Sequence, residues 1–187
     1  MLEKNPPINE TKKFNNFSMG EKTSIPKINL RGNANNKNFT SAVGKILGIL
    51  LPLEVGKITI KEEISIICTG PNEWLIISNN IVEENTSSFE LENILYENVS
   101  KNDLGSVTNV TDQFTIFSLK GSNIYEVLSK SSPFDFDMLL DNSSAQTLLN
   151  NIDITIFKKN NESIDLLVRR SFSEHLWDWI KDSANFS

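Results

Sequence analysis

The stretch AQTLLNNIDITIFKKNNESIDLLVRR, residues 145–170, limits the folds open to this chain more than any other feature. Its three segments, Ala145–Leu149, Ile152–Lys159 and Ile164–Arg170, are short and carry the Ile, Leu, Val and Thr content of strands. Asn150-Asn151 and Asn160-Asn161 separate them. Asparagine tolerates positive φ, so each pair suits a tight hairpin turn. So short a turn joins antiparallel strands only, because parallel neighbours need a crossover of a dozen residues or more. The stretch reads as an antiparallel meander.

The same logic organises the remainder. KITI (57–60), EISIIC (63–68) and EWLIIS (73–78) read as strands, the last two divided by the turn signal Thr69-Gly70-Pro71-Asn72. That turn should deliver Trp74 into a core or an interface. SVTNVTDQFTIFSLKG (106–121) reads as two strands around Asp112. Helices are predicted between these runs. NFTSAVGKILGILLP places Phe39, Val43, Ile46, Leu47 and Leu50 on one stripe, with Asn38 as the cap and Pro52 as the stop. Ser87 and Glu90 have capping-box spacing before a helix burying Leu91, Ile94 and Leu95. Ser122 should cap a short helix burying Ile124, Val127 and Leu128, and SPFDFDML (132–139) should be a loop. Strands in runs with helices between them make an α+β fold with largely antiparallel sheets, in duplicated halves.

Residues 1–28 carry three prolines and no periodicity, and are expected to be disordered or laid on a partner. Residues 29–187 form the domain. A formal charge of −6 without a basic stripe argues against nucleic acid and anionic membrane as partners. The single cysteine, Cys68, excludes an internal disulfide, so a reduced cytoplasmic setting is expected. The N-terminal stretch lacks the apolar core of a signal peptide, and no apolar run reaches the length of a membrane span.

Phosphate-cradling glycine loops are absent, so no dinucleotide is expected on this chain. One histidine and one cysteine leave a transition-metal site short of ligands. Cys68 sits in an apolar strand and should be an inert buried thiol. Asp112 reads either as a turn aspartate or as a functional acid. VRRSFSEHLWDWI (168–180) gathers the histidine with two arginines and two tryptophans. Ser171 and Glu174 have capping-box spacing, so a helix should begin there, with Phe172, Leu176, Trp179 and Ile180 facing the core. His175 should pair with Asp178 or Asp182. Trp177 points about 100° away from Leu176, off the stripe, and is expected to meet a neighbouring subunit. Arg169 and Arg170 suit carboxylates within the chain or across an interface. The interface candidates are Trp177, Arg169, Arg170 and Trp74.

Several motifs together resemble one family. These are Gly70-Pro71-Asn72-Glu73-Trp74-Leu75, Lys120-Gly121, Ser132-Pro133-Phe134-Asp135-Phe136, Ala145-Gln146-Thr147, and Arg170-Ser171-Phe172 through Leu176-Trp177-Asp178-Trp179. In this order, with Leu30-Arg31-Gly32 ahead of them, they resemble the gamma subunit of heterotetrameric sarcosine oxidase over about residues 29–181. Ser132 stands for the family's usual cysteine and Lys120 for its usual serine. The resemblance implies a fold similar to the folate-binding domain of the glycine cleavage T-protein. It implies alpha, beta and delta subunits as partners in an enzyme that demethylates sarcosine to glycine and passes the methyl carbon to tetrahydrofolate. FAD, FMN, NAD and tetrahydrofolate would sit on the other subunits, leaving this chain a non-catalytic structural role. The alternatives are the small subunit of N-methylglutamate dehydrogenase, a free-standing folate-binding one-carbon protein using Asp112, and a generic scaffold.

Overall fold

The Asn150-Asn151 turn is built as its sequence demands. Both residues hold positive φ, 49° and 60°, and join β9 (Ser143–Leu149) to β10 (Ile152–Asn160). The second asparagine pair works differently. Neither residue has positive φ. Instead the Asn160 side chain accepts a hydrogen bond from Glu162 N (3.0 Å), and the turn leads into β11 (Ser163–Arg169) past a bulge in β10. The three strands form the expected antiparallel meander. The computed structural model describes residues 6–23, 25–78 and 89–186.

The chain divides into two units, one of residues 24–111 and one of residues 1–23 with 112–187. The middle unit runs β3 (Lys27–Gly32), α1 (Lys37–Leu47), β4 (Ile58–Lys61), β5 (Ile64–Gly70), β6 (Glu73–Ser78), α2 (Phe89–Leu95) and β7 (Gly105–Asn109). Its sheet has the order β4-β5-β6-β3-β7, with every pairing antiparallel. That is a βαββαβ arrangement of the ferredoxin-like kind with one added edge strand. A π-helical turn, Tyr96–Ser100, extends α2 and buries Val99.

The second unit repeats this plan with one exchange. β8 (Phe114–Lys120), α3 (Ile124–Ser129), β9, β10, β11 and α4 (Ser173–Asn185) follow the same course as β3 through α2. Its sheet order is β1-β2-β8-β11-β10-β9. The place that β7 fills beside β3 is filled beside β8 by β2 (Phe17–Lys22), which is paired in turn with β1 (Thr11–Phe14). The duplication expected from sequence is therefore present as topology, with the last strand drawn from the N-terminus.

For its described residues, 6–23 and 25–28, this corrects the reading of segment 1–28 as a disordered or partner-bound arm. Phe17 and Met19 alternate with polar residues, and both are buried in this unit's core. The Lys22 ammonium reaches across β8 to Asp165 on β11 at 2.7 Å. Two apolar residues at spacing two are too few to stand out against a polar, proline-containing segment.

The helices differ in detail from expectation. The cap of α1 is Asn36, accepting from Asn38 N at 3.0 Å, and the helix ends at Gly48 in the left-handed region (φ 64°) rather than at Pro52. Phe39, Val43 and Leu47 are buried, while Leu50 lies past the end and is 80% exposed. Ile94 on α2 is also exposed, leaving Leu95 as the fully buried residue there. Ser87 lies outside the described residues. In α3 the buried trio Ile124, Val127 and Leu128 is as predicted, but Asn123 occupies the cap position without a side-chain capping bond, its Oδ1 accepting from Ser122 Oγ at 3.2 Å.

Candidate functional site

The stretch 168–180 is the end of β11, a 3-10 turn over Arg170–Phe172, and the start of α4. Ser171 is not the cap. The Ser173 hydroxyl closes the turn by donating to Arg170 O at 2.6 Å. Arg169 and Arg170 are exposed, and with Pro6, Pro7, Gln113, Ser171 and Glu174 they line an open recess of about 760 Å³ within the second unit. The recess sets two guanidinium groups and the Glu174 carboxylate beside the first turn of a 13-residue helix. His175 does not join the recess: it is exposed and meets the Asn150 side chain at 3.1 Å, across to the β9–β10 turn. The expected pairing with Asp178 or Asp182 does not form, and Asp178 takes Lys181 instead (2.6 Å).

Trp177, expected at a neighbouring subunit, and Trp74, expected in a core or an interface, are both core residues. Trp177 is 3% exposed and packs edge-on against Phe117 of β8 (centroids 5.3 Å). Its position 100° from Leu176 is accounted for by the N-terminal hairpin, since α4 also lies against β1. The Trp177 Nε1 makes no close hydrogen bond, but a weaker one to the exposed Glu10 carboxyl joins Lys12, the larger cause, in holding that carboxyl below the usual carboxylate range. Phe172, expected in the core, is 47% exposed, and Trp179 is partly buried.

Trp74 sits in the core of the middle unit at 1% exposure. Its Nε1 donates to Pro52 O at 2.7 Å, and its ring meets Phe39 (5.7 Å). The turn that delivers it has Pro71 followed by Asn72 at φ 61°, the conformation a type II turn requires of its third residue. Glu73, beside it, accepts from Asn29 (2.7 Å) and Arg31 (2.9 Å) on β3. Burial raises the Glu73 pKa, but these two donors outweigh it and leave the carboxyl below its ordinary value.

Cys68 is buried, with its pKa raised by that burial and only partly offset by a contact with Gly70 O. Asp112 is exposed in the 3-10 turn Thr111–Gln113, where the chain passes from one unit to the other. Among the described residues no three acids, histidines or cysteines gather as a metal site would need, and no helix is long and apolar enough to cross a membrane. Sequence reasoning brought out the two arginines of the recess. Gln113 and the two prolines carried no periodic or motif signal.

The model of the sarcosine oxidase gamma subunit family matches residues 31–185. The chain belongs to that family. The match spans both units and all the motifs from the 70–75 turn to the tryptophan-bearing helix α4. Among solved structures, heterotetrameric sarcosine oxidase from Corynebacterium sp. U-96, in complex with pyrrole 2-carboxylate, superposes with a TM-score of 0.79 at 24% identity, over 90% of this chain and 84% of that one. Aspartokinase alpha and beta subunits superpose with a TM-score of 0.51 at 12% identity, over 89% of this chain and 97% of that one. No curated protein matches the sequence. The aspartokinase likeness concerns fold alone, and neither of these two structures is the T-protein domain that the resemblance led us to expect.

Proposed function

We propose that this chain is a structural subunit of a heterotetrameric sarcosine oxidase and performs no chemistry itself. The observation that carries the reading is the family match across both units. Local geometry supports it. The nucleophiles and bases singled out in the sequence are dispersed: Cys68 is buried, His175 is held by Asn150, and Asp112 stands in an exposed turn. On this reading alpha, beta and delta subunits are its partners, and FAD, FMN, NAD and tetrahydrofolate belong to them. The setting is cytoplasmic. Likeness to the folate-binding T-protein domain is part of the same proposal, supported by the duplicated βαββαβ plan.

The test is co-expression with the other subunits. The tagged chain should bring them down in a complex that oxidises sarcosine, and the chain alone should be colourless and inactive. A flavin spectrum or bound folate in the isolated chain would overturn the reading and favour a free-standing one-carbon protein. Turnover of N-methylglutamate in place of sarcosine would assign the complex to the related dehydrogenase.

A further inference from the structure

The loop between α3 and β9 exposes two large apolar side chains, Met138 (77%) and Leu140 (67%). Exposure at that level in a loose loop would mean little, but this loop is held firmly. Asp135 caps a 3-10 turn over Phe136–Met138 by accepting from Asp137 N at 3.1 Å. Phe136 and Leu139, on either side of Met138, are buried, and Phe136 stacks on Tyr125 (5.6 Å). The buried Lys158 donates to Leu139 O at 2.7 Å, and Ser143 Oγ donates to Leu140 O at 2.5 Å. The backbone is thus tied down on both sides of the exposed pair. A preorganised apolar pair costs little ordering entropy on binding, and methionine adapts its shape to a partner.

Charge says what kind of surface would receive it. Asp135, Asp137 and Asp141 are all exposed, and the segment 135–142 holds no Lys or Arg. The cation nearest to it, Lys158, is 7% exposed and points inward, between Leu139 O and Asp141 (3.6 Å). An exposed apolar pair on a segment with three exposed carboxylates, one of them shared with Lys158, is complementary to an apolar groove with a basic rim.

We propose that loop 135–142 is a docking knob that inserts Met138 and Leu140 into an apolar groove rimmed by Lys or Arg on another subunit of the oxidase. This rests on the structural-subunit reading above. The experiment follows exchange of fluorophore-labelled chain out of the purified complex, chased with unlabelled chain. Met138→Ser with Leu140→Ser should leave the melting temperature of the isolated chain unchanged and speed exchange about 30-fold or more, the scale of an interface hot spot. Asp137→Lys should speed it about tenfold at low salt and less at high salt. If the double variant is unstable, Asp137→Lys alone decides. Wild-type exchange rates in both variants would sink the proposal while leaving the subunit reading intact. Failure of the wild-type chain to enter any complex would sink both. An isolated wild-type dimer that the double variant turns into a monomer would make the loop a self-contact and overturn the proposal.

Discussion

The two buried tryptophans differ in one respect that stability measurements can read. Trp74 and Trp177 are both within 3% of full burial, but Trp74 Nε1 donates to Pro52 O at 2.7 Å while Trp177 Nε1 makes no close hydrogen bond, only a weaker one to Glu10. Replacing either by phenylalanine removes one ring and about 1 kcal/mol of burial. At position 74 the change also deletes a hydrogen bond worth about 0.5–1.5 kcal/mol and leaves the Pro52 carbonyl without its donor. Trp74→Phe should therefore cost about 2–3 kcal/mol. At position 177 it removes a buried N–H that makes no close hydrogen bond, only a weaker one to Glu10, and whose desolvation costs about 1–3 kcal/mol. That offsets the lost ring, and Trp177→Phe should fall within about 1 kcal/mol of zero. Amide hydrogen exchange separates the units, with β5 and β6 reporting on the first change and β8 and β11 on the second. A Trp177→Phe cost equal to that of Trp74→Phe would show that the Trp177 bond to Glu10 is not the weaker one, and the argument would fail.

Three other outcomes follow from particular contacts. Gly121 holds φ 130°, and a Cβ there would strike Asn16 O in the β1–β2 turn, so Gly121→Ala should cost at least about 2 kcal/mol and loosen exchange protection first in β2. Because the Glu73 pKa is depressed, its contribution to stability is present above its unfolded value near 4.5 and is lost as pH falls through the lower folded value. Urea titrations between about pH 5 and pH 3 should lose less stability in Glu73→Gln than in wild type, and equal slopes would count against the Asn29 and Arg31 bonds. Cys68, buried and with a raised pKa, should resist a thiol reagent at pH 8 until the chain is unfolded; rapid labelling of the native chain would contradict its burial.

Local chemistry was legible wherever a residue type has one structural use. The Asn150-Asn151 turn, the Pro71-Asn72 turn and the buried trio of α3 all declared themselves this way. Boundaries were less legible. Gly48 and Pro52 could both end α1, and the left-handed cap at Gly48 won because it satisfies the last turn directly through Gly48 N to Gly44 O. Ile94 fits the stripe of α2 by period alone, yet it lies on the exposed side of a helix whose continuation is π-helical. The recess was half legible, since arginines at a strand end carry a reading of their own while Pro6 and Pro7 reach it only through tertiary folding.

The burial of Trp177 and the order of the N-terminal hairpin have one cause. Trp177 lies about 100° off the stripe of α4, and that offset alone is what the sequence shows of an outer surface. The structure adds β2 and β1 beyond β8, and the widened sheet covers the flank of α4 where Trp177 lies. Phe17, Met19, Phe117 and Trp177 belong to one core. Removing residues 1–22 should therefore do more than delete a terminus. It should leave β8 as an open edge, strip Lys22 from Asp165, whose Oδ1 already lacks a partner, and open the side of Trp177. The truncated chain should show red-shifted tryptophan fluorescence, lose exchange protection across Phe114–Lys120 and gain a tendency to aggregate, while β5 and β6 keep their protection. Wild-type protection in β8 after truncation would mean that the hairpin is an ornament on a finished unit, and that Trp177 is buried for some other reason.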